Sequence, residues 1–181
     1  MLTSQKIMVS QQLMAKAYPN CKFCGFDSHH ASIEYARNKA KEEGLDEDRI
    51  QFEVASSTNF LPPQDAEEYD LIAFFDCLHD MEDPEGAAAH ALKTLKKPNG
   101  VVMIVEPFAN DKLEDNLNPI GRIYYAGSTM VCIPTSLSQN GPALGAQAGE
   151  GRISQVVKAG GFRHFRRATH TPFNIVYEAK A

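Results

Sequence analysis

A continuous apolar run, Leu71 to Phe75, lies near the middle of the chain between acidic residues. Unbroken runs of this length are typical of strands that are buried on both faces, as in a parallel sheet covered by helices. Asp76 and the sequence Cys-Leu-His-Asp follow directly. Open α/β sheets bind their ligands where the strands end. We therefore expect the residues that follow Phe75 to line a ligand-binding edge.

Strand-like and helix-like patterns alternate on both sides of this run. Apolar or alternating stretches predict further strands over residues 21–27, 49–55, 101–105, 162–169 and 173–179. Apolar residues at helical spacing predict helices over residues 11–18, 30–43, 84–95, 119–131 and 150–159. This order predicts an α/β fold whose last two strands form an antiparallel hairpin.

Local signals refine this outline. Ser28 is the expected N-cap of the helix that begins at His30. The stretch from Ser136 to Gly151 is rich in Ser, Gly, Ala and Gln and is expected to be a loop. No repeat or linker divides the chain, so we expect one domain over residues 1–181, with residues 108–149 as an insert or lid.

Composition narrows the function. The chain has 181 residues and a net charge of −5, which argues against a nucleic-acid surface. No apolar run approaches the ~20 residues of a membrane span, and the N-terminus lacks the apolar core of a signal peptide, so a cytoplasmic location is expected. Cys21 and Cys24 form a lone pair inside a predicted strand, where neither a redox centre nor a zinc site is expected.

Asp27 stands where a strand gives way to a helix. A carboxylate in that position accepts hydrogen bonds from both ribose hydroxyls of a nucleoside cofactor in dinucleotide sites. The alternative is an aspartate that caps the helix or closes the turn. The surrounding strand–helix pattern favours the cofactor role.

His79 is the candidate proton acceptor at the end of the central strand, because histidine titrates near neutral pH. Glu106 ends the next predicted strand and is the second candidate. The alternative for His79 is a strand-end turn whose polar side chains cap the next helix. No ligand triad is spaced on one face, so no metal site is predicted.

Four phrases in this order are specific: Gly25-Phe-Asp27, Phe75-Asp-Cys-Leu-His-Asp80, Val105-Glu-Pro-Phe108 and Leu113-Glu-Asp-Asn-Leu-Asn-Pro119. From about Leu13 to the C-terminus, the chain resembles the class I S-adenosylmethionine-dependent methyltransferases. The resemblance implies a three-layer, Rossmann-like sheet that is mostly parallel, with a C-terminal hairpin that inserts one antiparallel strand.

The resemblance also implies the cofactor S-adenosylmethionine and a small-molecule methyl acceptor, with no nucleic-acid or membrane partner. Asp27 would hold the ribose, and His79 or Glu106 would take a proton from the acceptor. The other implied cofactor residues are Ser28, Ser56, Ser57, Phe75 and Asp76. The implied apolar wall of the acceptor site consists of Tyr124, Tyr125 and Met130.

One departure from that family changes the expectation. The family's first strand and Gly-rich turn should precede the helix at residue 11, but no glycine precedes Gly25. The strand is therefore expected to be missing, or to be replaced by Lys6 to Val9 or by a second chain. This predicts a truncated product with weak or no methyl transfer. The alternative function is a non-catalytic, methyltransferase-like protein that dimerises or binds a partner. A nicotinamide-dependent dehydrogenase is disfavoured by the terminal hairpin and the missing Gly-rich turn.

Overall fold

The computed structural model describes residues 11, 13–46, 48–62 and 68–181. The chain divides into two compact units, Met1–Glu67 and Glu68–Ala181, and each is described by itself. The predicted substitute strand, Lys6 to Val9, lies outside the described residues, and the expectation of a single domain stays a prediction. Among the described residues, no helix combines the length and the apolar character that crossing a membrane requires.

Among its described residues, the first unit contains two parallel strands with a helix between them, and residues 13–17 of the predicted N-terminal helix are also helical. Its elements are β1 (Phe23–Asp27), α1 (His30–Glu42) and β2 (Ile50–Val54). The strands pair from Phe23 with Ile50 to Asp27 with Val54. The helix buries one apolar face against β2, and this core contains Ala15, Ile33, Ala36, Ala40, Ile50 and Phe52. The predicted strands and helix of this unit are confirmed.

The start of α1 differs from the prediction. Its N-cap is His29, whose side chain makes no capping hydrogen bond, so Ser28 as N-cap was wrong. The reason is the turn that precedes the helix. The Asp27 Oδ1 atom accepts the His29 N–H at 2.8 Å, so His29 is the cap residue, and the helix begins at His30 as predicted.

The second unit is built on a four-stranded sheet. Its elements are β3 (Leu71–Phe75), α2 (Pro84–Thr94), β4 (Val101–Pro107), α3 (Pro119–Gly127), α4 (Ile133–Ser138), α5 (Gly149–Ala159), β5 (His164–His170) and β6 (Asn174–Lys180). The strand order is β3-β4-β6-β5. Strands β3 and β4 are parallel, and β6 runs antiparallel between β4 and β5. The predicted parallel pair, the terminal hairpin and its inserted strand are confirmed.

Strand β3, which stands at one end of the four-stranded order, is less buried than its sequence predicts. Ile72 and Phe74 are buried, but Leu71 is 47% exposed. Because alternate residues of a strand face opposite sides, only the side carrying Ile72 and Phe74 is fully covered. The expectation of burial on both faces was therefore wrong at Leu71.

The predicted helix after Pro119 is longer than expected. Asn118 caps α3 by accepting the Gly121 N–H at 2.9 Å. The helix then continues through a π turn, Ser128–Cys132, into α4. The loop predicted from Ser136 was therefore wrong for the last turn of α4. Ser136 is buried there, because its hydroxyl donates to the Met81 carbonyl at 3.2 Å and accepts the Ala143 N–H at 3.1 Å.

Candidate functional site

The carboxyl ends of β1 and β2 lie level at one edge of the first unit. The strands are in register to their last residues, Asp27 and Val54, and the Ala55 N–H donates to the Asp27 carbonyl at 3.1 Å. Ser56 and Ser57 follow β2 at once and are half-buried. The structure therefore brings the predicted ribose residue and two of the other predicted cofactor residues, Ser56 and Ser57, to the same strand edge.

The Asp27 carboxylate is only partly used by the protein. Oδ1 accepts the His29 N–H, which is the contact expected of a turn aspartate. Oδ2 has no hydrogen-bond partner among the residues that the structure describes. Ser28 beside it is exposed. An ionised carboxylate accepts up to about four hydrogen bonds, so Asp27 can hold its turn and still accept from a ligand hydroxyl.

The edge of the second unit is formed by the ends of β3 and β4. Phe75 is the last residue of β3, and Asp76 follows it with a positive φ of 51°. The Asp76 N–H donates to the Val105 carbonyl at 2.7 Å, and the Asn174 amide donates to Asp76 Oδ1 at 3.3 Å. The Asp76 carboxylate is thus held by the inserted strand β6.

His79 and Glu106 form a buried pair beside this edge. Each is 3% exposed, and the His79 Nδ1 atom hydrogen-bonds to Glu106 Oε2. The other carboxylate oxygen, Oε1, accepts the Leu78 N–H at 3.1 Å. His79 lies on a short 3-10 turn, Leu78–Asp80, directly after β3, whereas Glu106 lies in β4. The structure thus brings the two predicted catalytic residues together.

The environment of His79 favours its charged form. Burial would lower the pKa of this imidazole, but the Glu106 charge, hydrogen bonds to Cys132 and Glu106, and the Asp80 charge outweigh it and raise the pKa to about 11. The His79 Nε2 atom lies 3.2 Å from Asp80 Oδ1. In the chain alone, the imidazole is therefore an imidazolium held between carboxylates at neutral pH.

Cys132 is a neighbour that the sequence did not reveal. It lies 53 residues after His79 (132 − 79), at the last position of the π turn. Its Sγ atom lies within 4.8 Å of a His79 ring nitrogen, and contact with the thiol helps to raise the pKa of the imidazole. No role is predicted for Cys132 from the sequence, and no local pattern marks it. Only the packing of the helical segment against the 3-10 turn brings the two side chains together.

The three predicted acceptor residues differ in their surroundings. Tyr124 is half-buried, and its hydroxyl donates to the Phe173 carbonyl at 2.8 Å. Burial raises the pKa of Tyr124, and the charge of Asp76 raises it further. Tyr125 is half-buried, whereas Met130 is 72% exposed. Tyr124 thus lies near the β3 edge, and Met130 presents its side chain to solvent.

A pocket of about 400 Å³ opens in the second unit past the end of β4. Small-molecule sites in proteins usually start at about this volume. Its lining residues are Phe108, Asn116, Asn118, Ile120, Gly121, His170, Thr171 and Pro172. Within the described part of the chain, none of the three predicted acceptor residues belongs to this lining.

Solved structures resemble the chain along nearly its whole length. An O-methyltransferase family protein from Burkholderia thailandensis superimposes with a TM-score of 0.71 at 17% identity, covering 98% of this chain and 48% of that one. Human N-acetylserotonin methyltransferase in complex with SAM has a TM-score of 0.64 at 17% identity, and the match covers 99% of this chain and 51% of that one. PigF with SAH has a TM-score of 0.71 at 16% identity, and the match covers 96% of this chain and 48% of that one. At these identities the likeness shows the fold, and the chain spans about half the length of these proteins.

One of two sequence comparisons found a match, and it agrees with the fold. The search of curated proteins found none. A family model described as "Methyltransferase domain" matches residues 8–158 and so spans both units. The predicted methyltransferase resemblance and Rossmann-like α/β fold are confirmed. Because the family model covers well over half of its residues, the chain belongs to the methyltransferase domain family.

Proposed function

We propose that the chain binds S-adenosylmethionine and takes part in methyl transfer to a small molecule in the cytoplasm. The observation that carries this proposal is the family model over residues 8–158. Two of the similar structures are described with SAM or SAH, which supports the choice of cofactor. The chain spans about half the length of these proteins, so the activity of the whole protein is part of the proposal.

The first unit fits the nucleoside half of this cofactor. Asp27 Oδ2 has no partner among the described residues, and a half-buried carboxylate at the end of a parallel strand suits a pair of ribose hydroxyls. We assign Asp27 to the ribose, with Ser28 beside it. Ser56 and Ser57 are assigned to the adenine side. The Ser56 hydroxyl lies 3.0 Å from Thr58 Oγ1 and accepts the Thr58 N–H at 3.3 Å, so its position is fixed by its own loop.

In the second unit, Phe75 and Asp76 stay the predicted cofactor residues. When bound, the cofactor supplies the methyl group and the leaving group, so the protein contributes position and exclusion of water. We assign His79 and Glu106 to the methyl acceptor. Glu106 occupies Nδ1 and thereby orients the ring, so Nε2 is the nitrogen that would face an acceptor hydroxyl or amine. Because the imidazole is charged in the chain alone, Nε2 takes a proton from the acceptor only after its own proton has left.

The acceptor region stays less defined than the cofactor region. Tyr124, Tyr125 and Met130 are the predicted apolar wall. The pocket past β4 is large enough for a small molecule and begins at Phe108, two residues after Glu106. A neutral, partly apolar lining with two asparagines suits an uncharged acceptor better than a highly charged one.

The test of cofactor binding is a calorimetric titration with S-adenosylmethionine and with S-adenosylhomocysteine. Asp27→Ala should weaken binding by about 10- to 100-fold, which corresponds to hydrogen bonds from a charged group. The matched control is Asp46→Ala. Asp46 accepts the Asp48 N–H at 2.9 Å and so makes the same kind of turn contact before β2, at the opposite end of the strand. Equal losses in both variants, or no heat with the unaltered chain, would reject the assignment.

A non-catalytic, dimerising protein is the second candidate. The feature that favours it is a set of exposed apolar side chains on the helical segment 119–138: Ile123, Met130, Val131 and Leu137. Exposed apolar surface of this kind often marks a protein interface. Light scattering together with the cofactor titration separates the candidates, since a stable dimer that ignores the cofactor fits only the second.

A further inference from the structure

His79, Asp80 and Cys132 form a compact group of three different ligand types. One ligand atom from each residue, a ring nitrogen, a carboxylate oxygen and a thiol sulfur, lies within 4.8 Å of the other two. A tetrahedral zinc ion, with ligand bonds of about 2.0–2.3 Å, separates its ligand atoms by about 3.3–3.6 Å. The three ligand atoms are therefore within about 1.5 Å of the spacing that a bound zinc ion requires.

The contact between His79 and Asp80 looks like two ligands that face a common point. The Asp80 Oδ1 atom lies 3.2 Å from His79 Nε2 and is buried, yet it has no hydrogen-bond partner among the described residues. The contact is an ion pair with the charged ring but lacks hydrogen-bond geometry, so this buried oxygen is satisfied only in part. A divalent cation that displaced the Nε2 proton would bind both atoms.

Glu106 binds the ring nitrogen of His79 that lies outside the group, Nδ1. Histidines that bind metals usually give their second ring nitrogen to a carboxylate, which fixes the tautomer and orients the ring. Glu106 does this at Nδ1, and its other oxygen is fixed by the Leu78 N–H. Nε2 therefore points toward the side where Asp80 lies, as a metal-binding imidazole would.

We propose that His79, Asp80 and Cys132 bind a divalent cation of the zinc class, with Glu106 as the carboxylate that orients His79. A set of one nitrogen, one oxygen and one sulfur suits Zn²⁺ or Co²⁺ better than Mg²⁺ or Ca²⁺, which prefer oxygen. Three protein ligands leave a fourth position open to water or to an exogenous oxygen or sulfur. The π turn that ends at Cys132 is a type of helix irregularity that often occurs at functional sites.

The site goes beyond the proposed methyl transfer and does not depend on cofactor binding. It uses the same Nε2 atom that an acceptor would meet, so an acceptor hydroxyl or thiol in the fourth position would be bound directly by the cation. A cation would then replace the imidazole as the group that activates the acceptor, since a bound cation lowers the pKa of the hydroxyl or thiol that it binds. The metal titration is done without S-adenosylmethionine, so failure of either proposal is seen separately.

The direct test is a titration of the chelator-treated chain with Co²⁺, followed by displacement with Zn²⁺. We expect one equivalent to bind and a thiolate-to-cobalt charge-transfer band to appear. Cys132→Ser should remove the band and weaken Zn²⁺ binding by about tenfold or more. Cys21→Ser is the matched control, because Cys21 is another free and exposed thiol outside the group, and it should leave both signals unchanged. Absence of the band, or its presence in Cys132→Ser, would overturn the proposal.

A second measurement avoids any effect of substitutions on folding. The unaltered chain is alkylated for a short time with and without Zn²⁺, and each cysteine is followed by peptide mass spectrometry. Zn²⁺ should protect Cys132 and leave the labelling of Cys21 unchanged. Equal labelling of Cys132 in both conditions contradicts the site, and equal protection of both cysteines shows only nonspecific thiol binding and also contradicts it.

Discussion

The two parallel strand pairs of this chain end in opposite ways. After β1 and β2, the polar groups are half-buried or exposed, and Asp27 keeps one carboxylate oxygen free of the described residues. After β3 and β4, His79 and Glu106 are almost fully buried and are bound to each other. The first edge therefore offers groups to a ligand, whereas the second holds charges that must satisfy one another.

The difference follows from the cost of burying charge. A half-exposed carboxylate such as Asp27 keeps part of its hydration, so it needs no partner to be tolerated. A buried ion pair costs about as much in lost hydration as it gains in attraction, and it persists only with good geometry. The hydrogen bond between Glu106 and the ring therefore holds His79 in one orientation. Substitutions at the two edges should therefore separate ligand binding from stability.

The largest expected effect is the loss of Glu106. Glu106→Gln removes the buried counter-charge at Nδ1 and leaves His79 with the Asp80 carboxylate alone, and we expect the free energy of unfolding to fall by about 3–5 kcal/mol. Urea unfolding followed by circular dichroism measures it. Asp27→Ala should lower the free energy of unfolding by less than about 1 kcal/mol, because its one turn contact is exposed. A loss of several kcal/mol from Asp27→Ala would break the comparison.

A surface ion pair provides the control for that measurement. Glu178 accepts a hydrogen bond from the Arg166 Nε atom at 2.9 Å, with the Arg166 side chain 63% exposed. Solvent weakens such pairs, so Glu178→Gln should cost no more than about 1 kcal/mol. A similar loss in Glu178→Gln and Glu106→Gln would mean that burial does not set the difference.

A smaller effect concerns the backbone at the two strand ends. Asp76 has a φ of 51°, where a Cβ is strained, whereas Asp27 is the last residue of a regular strand. We expect Asp76→Ala to be about 1 kcal/mol less stable than Asp76→Gly, since both lose the carboxylate and only alanine is strained. At Asp27 the order should reverse, with glycine about 0.5–1 kcal/mol less stable than alanine. The same order at both positions would show that the two strand ends do not differ in backbone strain.

Much of this picture could be predicted from the sequence because its signals are local. Apolar runs marked β1 to β4, and Asp83-Pro84 marked the start of α2, where Asp83 accepts the Gly86 N–H at 2.8 Å. The proximity of His79 and Glu106 was also predictable. His79 follows β3, and Glu106 lies near the end of the neighbouring parallel strand β4. Neighbouring parallel strands end at the same edge of a sheet.

What the sequence missed depends on packing between distant segments. Nothing near Cys132 indicates that it meets His79. In the helix beyond Val131, the Ser136 hydroxyl hydrogen-bonds to the Met81 carbonyl and to the Ala143 N–H. Helical periodicity relates residues three or four positions apart, so it does not predict either contact. Exposure of Leu71 likewise depends on what covers the strand, since the apolar run that it begins predicts full burial.

The smallest expected effect compares the thiols of the two strand regions. Burial, with the charge of Glu53, raises the pKa of Cys24 in β1 to about 12, and burial with the charge of Glu106 raises the pKa of Cys77 after β3 even further. Only the thiolate reacts with iodoacetamide, so at pH 8 both should label far more slowly than the exposed Cys21.

The pH dependence of this labelling gives the sign of the linked stability. The pKa of Cys24 is higher in the folded chain than in the unfolded chain, where a cysteine thiol has a pKa of about 8.5. Stability from this group is therefore complete below about pH 8.5 and declines as the pH rises toward about 12. Labelling of Cys24 should rise over the same range and remain ahead of Cys77, as followed by peptide mass spectrometry. Rapid labelling of Cys77 at pH 8 would mean that the second strand edge opens to solvent, and that its buried charges are not held as tightly as the comparison requires.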